Sequence, residues 1–470
     1  MGGANVSTHP AELSATALIG HYRRKTLSPV VVTRVVLQRI AALQPSLNAF
    51  LLVDEEQALA SARTSEARWM RGAPQGLVDG VPTSVKDVMI AKGWPTLRGS
   101  KTIARDQPWD EDAPMVARLR EHGAVLLGKT TTPEFGWKAI GDSPLTGISR
   151  NPWNADRTPG GSSAGAAIGA ATGMGPLHLG SDGGGSIRIP SSFCGVFGIK
   201  PTYGLVAASP PSPFAVVSHT GPITRTVADA AVMLTVIAGW DPRDPYAVPL
   251  PKRDFCPGLD AGIAGMRIAY SPRLGHAKVD PEVDALTAKA VAVIAALGAN
   301  VERADPALAS ARDVFWALWS VACAKVVAGT PEEKRALLDP GLRAAAAQGA
   351  RLSAVDLIAA EGERALLMQK TNAFLARYDV LLTPTVAVPA LPVGQDLNDP
   401  ASEQVWIDWT PFSYPFNMSR QPAANIPCGF TAAGLPVGLQ AVAGLGRDDA
   451  VLQVARAYEM AHPFVMPSVA

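Results

Sequence analysis

The 20 residues from Ser162 to Ser181 carry no charged side chain, and no other stretch limits so strongly what the chain can fold into. A run without charge belongs inside a protein or inside a bilayer. This one holds five glycines, Pro176 and His178, with few large aliphatic side chains. It therefore lacks the apolar surface that a span of about 20 residues must present to lipid. A helix packed within a protein is the better reading, and it demands a large core around it. The chain supplies one, with 470 residues, 47% of them hydrophobic and 18% charged, a balance far from that of disordered chains.

On either side of this run, helix and strand signals alternate. Val32, Val36, Leu37, Ile40 and Leu43 fall at helical spacing, and Glu55–Met70 follows as an Ala-rich helix. Gly80 to Asp87 reads as a turn entering a short strand that ends in Lys86. Ala113–His122 is predicted helical, Gly123 stops it, and Ala124–Leu127 is a buried strand. Further on come a helix at Thr226–Ala238, a strand at Met266–Tyr270 and a helix that Asp280 caps and Gly298 ends. A long helix at Ser353–Arg377 and a strand at Val380–Thr383 follow. Ala207–Ser218 reads as a Pro-rich surface loop, and Val405–Phe416, rich in aromatics, as a loop lining a site. The fold class expected is α/β, a single domain over residues 1–470 with helices on both sides of a large mixed sheet. Residues 1–75 would pack on it as a helical segment, and the catalytic core would span residues 76–240.

Composition excludes several functions. The net charge is +1 and no five like charges run together, so neither nucleic acid nor an anionic membrane is called for as partner. Cys194, Cys256, Cys323 and Cys428 lie far apart with no CxxC spacing, which reads as reduced thiols and a cytoplasmic location. The start, MGGANVSTHPAELSA, lacks a basic-then-apolar leader, and Val6 stands where a myristoylation site needs serine or threonine. Seven scattered histidines show no HExxH or other ligand spacing, so no metal is expected. Gly123–Thr130 satisfies GxxxxGK[ST] by letter. Its inner residues, Ala-Val-Leu-Leu, suit a buried strand with paired amides rather than a phosphate cradle. The expectation is a strand followed by a polar turn, and nucleotide binding is the least favoured function.

The chemistry-bearing pattern lies in two serines, each after a glycine turn: Gly160-Gly161-Ser162-Ser163 and Gly183-Gly184-Gly185-Ser186. Glycine turns leave amides unpaired, and such a nest ending at a serine suits acyl transfer, where amides hold the oxyanion. Ser163 also sits centrally in GxSxG, but no histidine accompanies it in a suggestive context. A serine needs a base, and without histidine the base should be a lysine whose pKa burial has lowered. Lys86, closing an apolar strand, is the leading candidate, with Lys129 and Lys200 as rivals.

These segments resemble the amidase signature family. GGSSAG at Gly160–Gly165 and GSDGGGSIRIP at Gly180–Pro190 are similar to its two serine motifs, with the serines 24 positions apart, and VPTSVKD at Val81–Asp87 to its lysine strand. HGAVLLGKTTTPEF, GIKPTYG, GPITRTVADAA, YDVLLTPT and GLPVGLQ extend the likeness from about Ala11 to Met460. The resemblance implies a metal-free, cofactor-free hydrolase with Ser186 as nucleophile, Ser162 in a cis peptide as proton relay and Lys86 as base. The amides of Gly183, Gly184, Gly185 and Ser186 would form the oxyanion hole, with Ser163, Ser181 and Asp182 in support. It implies substrates that are small amides, aryl amides or carbamates (urethanes), and a homodimer as assembly. The same family includes amidase subunits of glutamyl-tRNA amidotransferases, the alternative function. Two departures bear on the substrate: Arg420 stands where the family usually has glycine, and the spans 207–218 and 394–412 are particular to this chain. Trp406, Trp409 and Arg420 are the expected pocket residues.

Overall fold

The computed structural model describes residues 9–247, 249, 251–308, 311–397 and 405–468. Val6, with the rest of the first eight residues, lies outside the described residues, as do 398–404 within the span 394–412. The strands, in chain order, are β1 (Phe50–Val53), β2 (Pro82–Lys86), β3 (Val125–Thr130), β4 (Asp142–Ser143), β5 (Gly147–Ile148), β6 (Leu177–Asp182) and β7 (Phe197–Lys200). They continue with β8 (His219–Thr224), β9 (Arg267–Tyr270), β10 (Asn300–Arg303), β11 (Val380–Pro384), β12 (Ala423–Phe430) and β13 (Pro436–Ala443). Eleven of them form one sheet in the order β1-β3-β2-β6-β8-β7-β12-β13-β11-β9-β10, while β4 and β5 pair separately. The sheet is mixed: β2 runs parallel to β3 and β6, whereas β6–β8, β8–β7, β7–β12 and β12–β13 are antiparallel.

Both faces of the sheet are covered. Along β3, Val125 and Leu127 join one buried cluster and the intervening Leu126 joins another, as the two-residue period of a strand requires. The expected mixed sheet flanked by helices is what the chain forms. The predicted helices recur as Pro29–Leu47, Glu55–Met70, Pro114–Glu121, Val227–Ile237, Pro281–Ala296 and Ala354–Leu375. Asp280 caps the fifth, accepting from the Glu282 and Val283 amides. Among the described residues no helix is long and apolar enough to cross a membrane.

The uncharged run is only partly helical. Ala164–Thr172 forms a helix with every residue buried. Gly173 (φ 73°) and Gly175 (φ 112°) then turn the chain, and Leu177–Asp182 continues as β6, a strand the sequence pattern did not disclose. The small residues permit close approach: a Cβ at Gly165 would stand 1.9 Å from the Ala49 carbonyl oxygen.

The Walker-like letters meet a different fate from a strand and a polar turn. β3 runs on through Gly128, Lys129 and Thr130, all buried. Gly128 is needed because a Cβ there would meet the Leu52 carbonyl oxygen at 2.0 Å. The Lys129 ammonium is buried 3.8 Å from Asp87, with the Met89 carbonyl and Thr96 as further acceptors. No phosphate cradle is formed.

Candidate active site

Parallel β2 and β6 are neighbours, so their C-terminal ends, Lys86 and Asp182, emerge along one edge of the sheet. Ser162 and Ser163 precede the helix Ala164–Thr172, and Gly183–Ser186 turns from β6 into the helix Arg188–Cys194. Lys86 Nζ lies 2.7 Å from Ser162 Oγ, 3.0 Å from Ser163 Oγ and 3.0 Å from Ser181 Oγ. The Gly161–Ser162 peptide is cis. Burial drives the Lys86 pKa well below the ordinary lysine range, and the Asp182 charge only partly opposes it. Burial therefore favours the neutral amine. Ser163 donates its one hydroxyl hydrogen to the Ser181 carbonyl at 3.1 Å and accepts from the Ser181 amide at 3.2 Å. Toward Lys86 it can then only accept. Ser163 thus has no hydrogen left to give the amine, whose other hydroxyl neighbours are Ser162 and Ser181.

Neither rival lysine reaches a serine: Lys129 is tied to Asp87, and Lys200 donates to the Gln421 carbonyl. Of the histidines in the strands, His178 is buried between Ser84 and the Gly175 carbonyl, and His219 donates to the Val217 carbonyl.

Ser186 is 6% exposed and shares a cavity of about 90 Å³ with Ser162, Ser181 and Gly183. Among the described residues none hydrogen-bonds the Ser186 hydroxyl, so its approach to Ser162 is looser than a hydrogen bond in this state. The amides of Gly183, Gly184 and Ser186 likewise have no partner among the described residues. Gly185 departs from expectation. Its amide donates to Asp182 Oδ1 at 2.7 Å and is already committed, so it shapes the turn (φ 126°) instead of facing the cavity as a free donor.

Asp182 and Arg188 hold that turn. Asp182 accepts from the Gly185, Ile187 and Arg188 amides and from the Arg188 guanidinium. Burial would raise its carboxyl, but Arg188, with help from Lys200 and Asn417, holds it well below the usual carboxylate range. Arg188 also donates to the Ser413 carbonyl, Gln440 Oε1 (2.7 Å) and Asn417 Oδ1 (2.6 Å). Motif reading passed over Arg188, Asn417 and Gln440. One signal was present: Asp182 and Arg188 are the only charges between Arg157 and Lys200, and isolated charges in a buried stretch must pair.

The expected pocket residues lie elsewhere. Trp406 is buried against Phe315 and Trp319, behind Gly184. Trp409 stacks on Phe193 at 5.9 Å, and Arg420 lies over the Tyr203 ring at 4.4 Å. None of the three lines the cavity, because aromatic content alone does not say which face an element buries. Arg420 has φ 70°, the left-handed region that favours glycine, which accounts for the glycine expected there. The lining comes instead from residues 208–214, from Met89, Met115, Phe135 and Trp319, and from Arg98. The Pro-rich segment thus roofs the site, anchored where Phe214 stacks on Trp319 at 4.0 Å.

The family model described as Amidase matches residues 31–452. The chain belongs to the amidase signature family. It is 37% identical to an acylamidase of Rhodococcus erythropolis, over 96% of each chain. It is 35% identical to a glutamyl-tRNA(Gln) amidotransferase subunit of Myxococcus xanthus, covering 92% of this chain and 93% of that one. The crystal structure of a bacterial aryl acylamidase of the family superposes with a TM-score of 0.89 at 30% identity, covering 96% of each. This amidase signature enzyme is accordingly a hydrolase of amide C–N bonds.

Proposed function

We propose that this enzyme is a stand-alone hydrolase of small amides, including aryl amides and carbamates (urethanes), working through an acyl-enzyme on Ser186. Neutral Lys86 takes the Ser162 proton as Ser162 takes that of Ser186, and the Ser186 oxygen attacks the substrate carbonyl. The amides of Gly183, Gly184 and Ser186 receive the developing oxyanion. The tetrahedral intermediate collapses, the leaving group departs with the proton returned through Ser162, and water reverses the sequence to free the acid. The observation that carries this reading is a buried lysine amine, unpaired with any carboxylate among the described residues and within 3.0 Å of three serine hydroxyls.

The alternative, a glutamine-using amidotransferase component, has less support. Glutamine presents an ammonium as well as a carboxylate. Among the described residues the cavity lining offers the ammonium no acidic side chain. Purified enzyme should release nitroaniline by C–N cleavage both from a nitroanilide and from an N-(4-nitrophenyl) carbamate, and Ser186→Ala should abolish both. Release from neither, with Ser186→Ala indistinguishable from the parent, would remove the reading.

A further inference from the structure

Among the described residues, Arg98 is the one charged residue in the lining of the cavity that contains Ser162 and Ser186. The rest of that wall is apolar side chains, hydroxyls and glycine. Among the described residues no acceptor hydrogen-bonds its guanidinium and no carboxylate lies within ion-pair distance, Asp87 attracting it only from further off. The nearby acid is already occupied: Asp87 is fully buried, accepts from the Leu97 and Gly99 amides at 3.1 Å each, and faces Lys129. Those two amides bracket Arg98 and, with the Phe135 amide donating to the Arg98 carbonyl at 2.7 Å, fix its backbone at φ 54°. A bulky residue in the left-handed region persists only where its surroundings hold it. Among the described residues, the protein thus places a partly buried guanidinium, with five donors and no protein acceptor, in the wall of the cavity that Ser162 and Ser186 also line.

We propose that Arg98 selects substrates bearing a carboxylate on the part that fills this cavity. A planar carboxylate matches the guanidinium fork in two parallel hydrogen bonds, and the apolar wall strengthens their attraction. A cationic group at the same place would meet an uncompensated charge of its own sign. This inference rests on the amide-hydrolase reading and adds a substrate class to it.

Two matched pairs test it. Succinyl- against butyryl-4-nitroanilide places the carboxylate on the acyl side, and 4-acetamidobenzoate against acetanilide places it on the amine side. In at least one pair, kcat/KM should favour the anion by about tenfold or more, mostly through KM. Arg98→Gln should bring that ratio close to one, and Arg98→Lys should retain part of it as a point charge. Melting curves check that both variants fold, and if R98Q does not, the intermediate ratio of R98K carries the test. A parent enzyme that prefers the neutral member of both pairs, or a ratio unchanged in the variants, overturns the inference. No turnover of any of the four overturns the amide-hydrolase reading itself.

Discussion

Arg188 is the support whose removal has the most directly calculable effect. Arg188→Met roughly keeps the volume and removes the only cation in ion-pair contact with buried Asp182 among the described residues. An uncompensated buried charge costs about 3–5 kcal/mol. Unfolding entropy of about 2.1 cal/mol/K per residue amounts to about 1 kcal/mol/K for 470 residues. The variant should therefore melt about 3–5 °C lower at neutral pH. The pH dependence carries a sign. In the parent, Arg188 keeps the folded pKa of Asp182 below its unfolded value, so that contribution is intact above the unfolded pKa and lost only on acidification. Without Arg188, burial, the largest influence on this carboxyl, is opposed only by Lys200, Asn417 and the amides of the turn, and the folded pKa should rise above the unfolded value, giving a contribution present in acid and lost as pH rises. The deficit should accordingly widen from about pH 4.5 to about pH 7.5. Calorimetry at both values, with Asp182→Asn and the double variant completing a cycle, measures it. The double variant should be more stable than the two single losses summed, by more than about 1 kcal/mol. Nitroanilide turnover should fall as well, because Asp182 clamps the Gly185 amide. A variant melting with the parent at both pH values, or strict additivity in the cycle, would refute the reasoning.

Lys86→Ala should reduce kcat at neutral pH by about 10²–10⁴, the usual reach of a general base. Parent activity should rise with pH as the amine deprotonates, and finish doing so below the ordinary lysine pKa of about 10.4. Near-parental rates in K86A would exclude it as base. Ser162→Ala should cost far more in kcat than Ser163→Ala, since Ser163 has already given its hydrogen to the Ser181 carbonyl. Equal losses would argue against a relay through Ser162. Gly128→Ala should destabilise by more than about 3 kcal/mol, because its Cβ collides with backbone at 2.0 Å. Titration of the parent with ATP should give no heat.

The parts of the site that could be read from sequence are those whose chemistry is local. Ser162 and Ser186 sit in glycine turns visible as letters, and Lys86 ends a strand whose apolar run announces its burial. Gly185 shows the limit of that reading: its letter promised a free amide, yet three residues upstream Asp182 takes it. Asn417 and Gln440 were out of reach because they join Arg188 across separations of 229 and 252 residues. β6 escaped notice because Leu-His-Leu-Gly-Ser-Asp has neither β-branched residues nor clear alternation. Trp406 and Trp409 looked like a pocket rim because composition reports polarity and size, not direction. Arg98 gave no signal at all, since a lone arginine in a loop is ordinary until its surroundings prove to hold no partner.

The long reach of Arg188 has a consequence in time as well as in space. The three polar groups proposed for the chemistry have all been synthesised once residue 186 is made, but the residues that lock their turn come last. A chain stalled on the ribosome, or cut short before Gln440, would possess every reactive group and lack the clasp that arms them. The clasp around Arg188 is thus complete only once residue 440 has joined it, long after the serines and the lysine have been made.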